Sequence, residues 1–126
     1  MKKKIKYIIV ILVFFISIFI IEIIRMNNQV KAFDKTPIDI SHVADGVYNG
    51  HSETDLVKVE VKVTVEAGAI KDIEILKHEC GKGRPANVIV NDMVKKNDVE
   101  VDGVSGATFS SEVIKDAVRD ALRKGM

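Results

Sequence analysis

The chain has 126 residues, with 19 Lys and Arg against 18 Asp and Glu and a net charge of +1. That charge is divided: residues 1–33 carry Lys2, Lys3, Lys4, Lys6, Arg25 and Lys31 against Glu22 alone, and the remainder carries an acidic excess. No basic domain is left to hold a polyanion, which excludes a nucleic-acid surface. About 80–95 residues outside the apolar N-terminal run make one domain, not the two of a dinucleotide-binding enzyme.

The first element is the basic tip Lys2-Lys3-Lys4-Ile5-Lys6 followed by an apolar run from Tyr7 to Ile24, interrupted by Ser17 and Glu22. About 17–20 residues of helix cross a bilayer, and this run supplies them. The leading positive cluster predicts an N-terminus inside and the rest outside the cytoplasmic membrane, as a single-pass protein. A cleaved signal peptide needs a small-x-small site after its core. Glu22-Ile23-Ile24-Arg25-Met26-Asn27 offers none, which favours an uncleaved anchor. Residues 1–26 are therefore read as cytoplasmic tip and transmembrane anchor, 27–44 as a linker holding the domain a short way off the membrane, and 45–124 as the folded domain. Cys80 is the only cysteine, so the domain has no internal disulfide and depends on packing.

Asp45-Gly46 is a turn signal, and Val47 to Glu53 reads as a short strand. Val57, Val59, Val61, Val63 and Val65 then alternate with Lys58, Glu60, Lys62, Thr64 and Glu66. That period of two specifies a strand with one dry face. Ala67-Gly68 makes the turn, and Ile70, Ile73 and Ile75 form the return arm, ending near His78. Glu79-Cys80-Gly81-Lys82-Gly83-Arg84-Pro85 is a glycine-rich basic loop, with Pro85 suited to the first turn of a helix running to about Lys96. Val99 and Val101 predict a short strand. From Ser110 onward, Val113, Ala117, Val118, Ala121 and Leu122 form a helical stripe, with Asp116, Arg119, Asp120 and Arg123 largely away from it. The fold class is α+β: a small antiparallel sheet with helices packed on it, preceded by one transmembrane helix.

Ser105-Gly106-Ala107-Thr108-Phe109-Ser110-Ser111 places small residues directly before the last helix. Such a turn exposes N–H groups of the helix start, where a phosphate can sit, and Thr108 adds a hydroxyl. The same residues also suit an ordinary Ser/Thr cap. His42, His51, His78 and Cys80 show no structural-zinc spacing. A Cys80–His78 nucleophilic pair lacks an orienting third group.

The segment Asp102-Gly103-Val104-Ser105-Gly106-Ala107-Thr108 resembles the recognition motif of the FMN-binding domain family, known from subunits of sodium-pumping and electron-transport membrane complexes. Asp45-Gly46-Val47-Tyr48-Asn49-Gly50, the valine-rich hairpin, His78, the Gly81-Lys82-Gly83-Arg84-Pro85 loop and the closing helix fall in the family's order. The resemblance thus runs from Asp45 to Leu122. It implies FMN attached covalently, through its phosphate, to the hydroxyl of Thr108 as a phosphothreonyl-FMN. It also implies a magnesium-dependent flavin transferase that uses FAD as donor and reads Asp102, Ser105, Gly106 and Ala107. Lys82 and Arg84 would pair with the phosphate or with the pyrimidine side of a reduced flavin, although both also suit a solvated loop. Tyr48 and Phe109 are candidate ring-stacking residues, with a core or rim place as the alternative; Phe109 would shield a group on Thr108. After His78 the chain reads Glu79-Cys80-Gly81-Lys82-Gly83 where the complex subunits have a Glu-Thr-Pro-Gly stretch, so it resembles the small stand-alone anchored members more. The implied function is an extracytoplasmic electron carrier between a membrane donor and an external acceptor, rather than an enzyme with its own substrate. The alternatives are a membrane-tethered binding or structural module without flavin, in which Thr108 is a helix cap, and a flavin-dependent reductase with a second cavity for its substrate.

Overall fold

The structure, a computed structural model, describes residues 1–79, 87–104 and 107–126. Lys82, Arg84, Ser105 and Gly106, together with Cys80, Gly81, Gly83, Pro85 and Ala86, lie outside the described residues. The elements in chain order are helix α1 (Lys2–Lys31), a short 3-10 turn (Ile40–His42), strands β1 (Gly46–Glu53), β2 (Lys58–Glu66) and β3 (Ala69–Glu79), and helices α2 (Ile89–Lys96) and α3 (Thr108–Arg123). The strands form one antiparallel sheet in the order β1-β2-β3. The α+β reading holds: an apolar first helix, then a three-stranded antiparallel sheet covered by helices.

Strand β2 is the centre of the core. Val59, Val61 and Val63 are wholly buried and Val65 nearly so, on the face that meets Val113, Ile114, Ala117, Val118, Ala121 and Leu122 of α3 in one cluster. Each such side chain contributes about 1.5–3 kcal/mol, which lets a domain without a disulfide stay folded. The hairpin turn puts Ala67 at φ 53° and Gly68 at φ 74°, the left-handed pair that matches the twist of two-residue hairpins. The Ala67 N–H donates to Asp45 Oδ1 at 2.8 Å. One bulge explains the uneven spacing of Ile70, Ile73 and Ile75: Val65 pairs with Ile70 and Thr64 with Asp72, leaving Lys71 extra, which returns Ile73 and Ile75 to the inner face. A second follows Ile75: Val61 pairs with Ile75 and Glu60 with Lys77, leaving Leu76 extra and exposed and setting His78 opposite Val59.

Helix α3 runs antiparallel to β1 and closes that strand's free edge. Ser52 Oγ donates to Asp116 Oδ2 at 2.6 Å, the His51 N–H donates to Asp120 Oδ2 at 2.9 Å, and Lys124 Nζ donates to the Asn49 carbonyl. The His51 N–H and the Asn49 carbonyl are backbone groups that would otherwise recruit another strand. The approach is close because Gly50 faces Ala117 and Ala121. At the far end of the sheet, Asn97 ends α2 in a left-handed conformation (φ 51°), and its Oδ1 accepts the Ile70 N–H at 2.8 Å.

Three expectations change. Val99 and Val101 are buried but form no strand: the Val101 N–H donates to the Val99 carbonyl at 2.9 Å and the Glu100 N–H to Asp98 Oδ1 at 3.0 Å. Those local bonds make a γ-turn and use up the groups that a ladder would need. Arg119 is 2% exposed rather than turned to solvent, because α3 is covered on a second side by the segment after α2, where Arg119 Nη2 donates to Glu100 Oε1 at 2.5 Å. The expected spacer is no spacer either. Met26, Val30, Ile40 and Val43 are buried, with Phe33 and Ile38 packed against the same core, so α1 and the strap after it are part of the domain's packing.

Within the strap, Asp34 accepts from the Thr36 N–H and hydroxyl, and Asp39 accepts from the Ser41 N–H and hydroxyl. These donors hold both carboxyls below the usual carboxylate range.

Candidate functional site at the start of the last helix

The motif threonine is positioned by the first turn of α3. The N-cap is Ala107, at φ −133° and ψ 38°, and no side chain caps the helix. Thr108 is the first helical residue and is exposed, whereas Ala107 is buried beneath it. The cap reading of Thr108 is therefore corrected: Ala107 holds the position, and among the described residues the Thr108 hydroxyl has no hydrogen-bond partner. The first i to i−4 bond runs from the Ser111 N–H to the Ala107 carbonyl at 3.0 Å. The N–H groups ahead of it lie in the orphan turn of the helix, where the dipole favours a negative group.

Ser111 holds the motif in place, a role that the sequence reading missed. It is wholly buried, its Oγ donates to the Ala107 carbonyl at 2.8 Å, and it accepts the Val104 N–H at 3.0 Å. Gly103 packs on it so closely that a Cβ there would lie 3.3 Å from Ser111 Cβ. One hydroxyl thus ties both flanks of the motif to the helix. Its signal was present in the sequence: Ser111 falls in line with Ile114 and Val118 at helical spacing, so it had to face inward and find partners.

The other candidates divide by place. Asp102 is exposed on the segment leading to the motif, and Phe109 is half-buried against the core. Tyr48 is at the opposite end of α3, where its hydroxyl donates to the Ala44 carbonyl at 2.6 Å and its ring crowds Gly125. It takes the rim place, away from Thr108. His51 lies on the open face of the sheet near Glu53 and Glu60. Among the described residues, no group of His, Cys, Asp and Glu is arranged to hold a metal ion.

Chain direction brings the exit of β3 to the same end as Thr108. Lys58, at the start of β2, pairs with Glu53 of β1 and Glu79 of β3, so the β1–β2 turn and the exit of β3 share one sheet end. From the Ser52–Asp116 contact, Thr108 lies eight residues back along α3, about 12 Å at the helical rise. Residue 55 lies about 10 Å onward in the same direction at the strand rise. At the base of the loop, His78 Nδ1 hydrogen-bonds Asn87 Oδ1, joining the last turn of β3 to the approach of α2. The His78 Nε2 is shut off from solvent and has no partner among the described residues.

These features define a class: a small domain, continuous with an apolar helix long enough to cross a membrane, that presents an exposed hydroxyl at an anion-favouring helix start. The model of the FMN-binding domain matches residues 56–123. The chain belongs to that family. The match starts in the β1–β2 turn and ends at the last residue of α3, so it takes in the motif, the basic loop and the helix that presents Thr108. Among the described residues the helix start combines an exposed hydroxyl without a partner, N–H groups of the first turn without intrahelical acceptors, and a buried serine that ties the turn, a chemistry compatible with an anionic group.

Proposed function

We propose that the chain is a membrane-tethered flavoprotein, extracytoplasmic by the charge pattern of its anchor, that carries FMN covalently on Thr108 and passes electrons between a membrane donor and an external acceptor. The observation that carries this reading is Thr108 itself. In a domain of the FMN-binding family, the motif threonine is exposed at the first residue of α3 and makes no side-chain hydrogen bond among the described residues. Its Oγ would become the ester oxygen on the FMN phosphorus, with AMP leaving when FAD is the donor and the hydroxyl proton released. Asp102, exposed ahead of the motif, and Ser105, Gly106 and Ala107 would be what the flavin transferase reads. Lys82 and Arg84, which follow β3 in the sequence, would neutralise the phosphate or a reduced ring. Phe109 would shield the linkage. Bound FMN would supply reversible redox chemistry, and the protein supplies attachment, orientation and charge. A covalent ester suits a compartment from which a dissociating cofactor would be lost.

The test is the intact mass of the chain produced with an exported flavin transferase and FAD. A gain of one FMN less one water, mapped to the peptide with Thr108 and abolished in Thr108→Ala while the domain stays folded, supports the reading. An unmodified mass beside a fully modified control substrate, or covalent FMN retained in Thr108→Ala, overturns the site assignment.

A further inference from the structure

The anchor and the domain are not joined by a flexible tether. Helix α1 continues from the apolar run through Lys31, and its last two turns are built into the domain: Met26 and Val30 are buried, and Gln29 Oε1 accepts the Asp55 N–H of the β1–β2 turn at 3.0 Å. Five residues on, Asp34 accepts from Arg123 Nη2 at 2.6 Å in the last turn of α3, and Lys35 lies 3.6 Å from Glu112 in its second turn. The chain thus enters the domain where Gln29 meets the β1–β2 turn and reaches the opposite end where the Ala44 N–H donates to the Gly125 carbonyl at 2.9 Å, past the end of α3, so the end of the domain that meets α1 first is the end that carries Thr108.

The distance to the membrane follows from the helical rise. Ile24 is the last residue of the apolar run. Gln29 is five residues further, about 7.5 Å along the axis, while each headgroup layer is about 5–7 Å thick. The β1–β2 turn thus reaches the outer edge of that layer. It presents Leu56 to solvent, 55% exposed, and Val88, 57% exposed, follows Asn87 at the same sheet end. Two large apolar side chains at this rim, with Arg25 and Lys31 carried on the last turns of α1, are the composition of an interfacial contact.

We infer that the Thr108 end of the domain rests on the headgroup layer of the membrane that α1 crosses, with Leu56 and Val88 as its lipid contacts. The orientation is fixed by α1 and needs no partner protein. On the flavin reading above, on which this consequence rests, the cofactor faces the bilayer and its donor is a membrane-embedded redox group reached at the membrane surface. The opposite end of the domain, with Gly68 and Tyr48, points away.

The test needs no flavin, so its failure and that of the covalent-FMN reading are separate. The full chain in a Cys80→Ser background, with Leu56→Cys, Val88→Cys or Glu66→Cys, is labelled with an environment-sensitive dye and placed in phosphatidylcholine vesicles. Nitroxide-headgroup lipid and aqueous iodide serve as the two quenchers. The labels at 56 and 88 should emit to the blue of that at 66, lose emission to the lipid nitroxide, and be protected from iodide. A Gly/Ser insertion of ten residues between Arg25 and Met26 should shift the label at 56 to the behaviour of that at 66. Equal access of all three labels to iodide, in chains whose near-ultraviolet dichroism matches the parent, overturns the inference. So does lipid quenching at 56 that survives the insertion unchanged, because the orientation would then owe nothing to α1.

Discussion

Substituting Gly50 by alanine is the sharpest test of how α3 is seated, and so of how Thr108 is presented. A Cβ at Gly50 would stand 1.9 Å from the Ala117 carbonyl oxygen and 2.8 Å from both Ala121 Cβ and its backbone nitrogen. Ordinary contact starts at 3.4 Å, so the helix backbone must retreat by about 1.5 Å at this point. Nothing flexible can yield, because the nearest atom is backbone. Retreat also strains the Ser52–Asp116 and His51–Asp120 bonds that clamp helix to strand edge. Overpacking of this kind costs about 1–3 kcal/mol, and the backbone clash puts Gly50→Ala at about 3 kcal/mol. For a domain of this size each kcal/mol lowers the melting temperature by about 4–8 °C, so the expected loss is on the order of 12–24 °C. The assay is calorimetry of the full chain in detergent, with Gly103→Ala as comparison. There the added Cβ meets only Ser111 Cβ and Oγ, at 3.3 and 3.4 Å, and the loss should be a few degrees. Equal melting of parent and Gly50→Ala would refute the close seating of α3 on β1.

Ser111→Ala leaves the Val104 N–H without its acceptor, which costs about 1–3 kcal/mol; denaturant midpoints should fall accordingly, and flavin transfer to Thr108, followed by mass, should slow although the hydroxyl is intact. Glu100→Ala strands the buried Arg119 guanidinium and should cost about 1.5–3 kcal/mol, whereas Arg119→Met removes the buried charge with its partner's need and should cost less; equal losses by urea titration would refute the buried-charge argument. The bonds from Thr36 and Ser41 hold the Asp34 and Asp39 carboxyls below the usual carboxylate range, so these bonds contribute stability that is complete above the ordinary carboxylate pKa and is lost as pH falls through the lower folded values. Hydrogen exchange at the Thr36 and Ser41 amides should thus show unchanged protection between about pH 5 and 7 and a loss below about 3.8 that Asp39→Asn abolishes at Ser41.

What the sequence made legible was whatever one periodicity governed. The five valines from Val57 to Val65 needed only a single dry face, and all five are buried. The hairpin followed from Ala67-Gly68, and the closing helix from its stripe. The misreadings occur where two surfaces compete for one segment. Alternation at Val99 and Val101 reflects burial on both sides of a γ-turn and no ladder, because Asp98 captures the Glu100 N–H. Arg119 looked solvent-facing on a helix assumed to bury one side, and the segment after α2 supplied the second side. The helix start was set two residues late, since Ser110 resembles a cap while the buried Ser111 does the tying. In the site, the motif gave Thr108 its identity but not its freedom, which depends on Ala107 taking the cap position.

The strap explains how so small a sheet can present a rigid site. Three strands and two helices leave one flank of α3 open to water, and a helix held on one side only could tilt and swing its first turn. The chain closes that flank with the end of its first helix and the strap: Met26 and Phe33 pack against the core, Lys35 reaches Glu112, and Arg123 is tied to Asp34 by 3.7 Å of ion pair and a hydrogen bond to its carbonyl. Surface pairs of this sort each contribute little, so the apolar residues supply the stability and the pairs set the register. The same contacts that steady α3 fix it relative to α1. Rigidity of the Thr108 turn and the inferred orientation toward the membrane would therefore be one property of the packing. A substitution that loosens the strap without touching the sheet, such as Val30→Ala, should weaken both together. Removing a buried side chain of this kind costs about 1–3 kcal/mol. The expected result is a lower melting temperature together with a dye at residue 56 that gains access to aqueous iodide, and a change in only one of the two would separate properties that the structure joins.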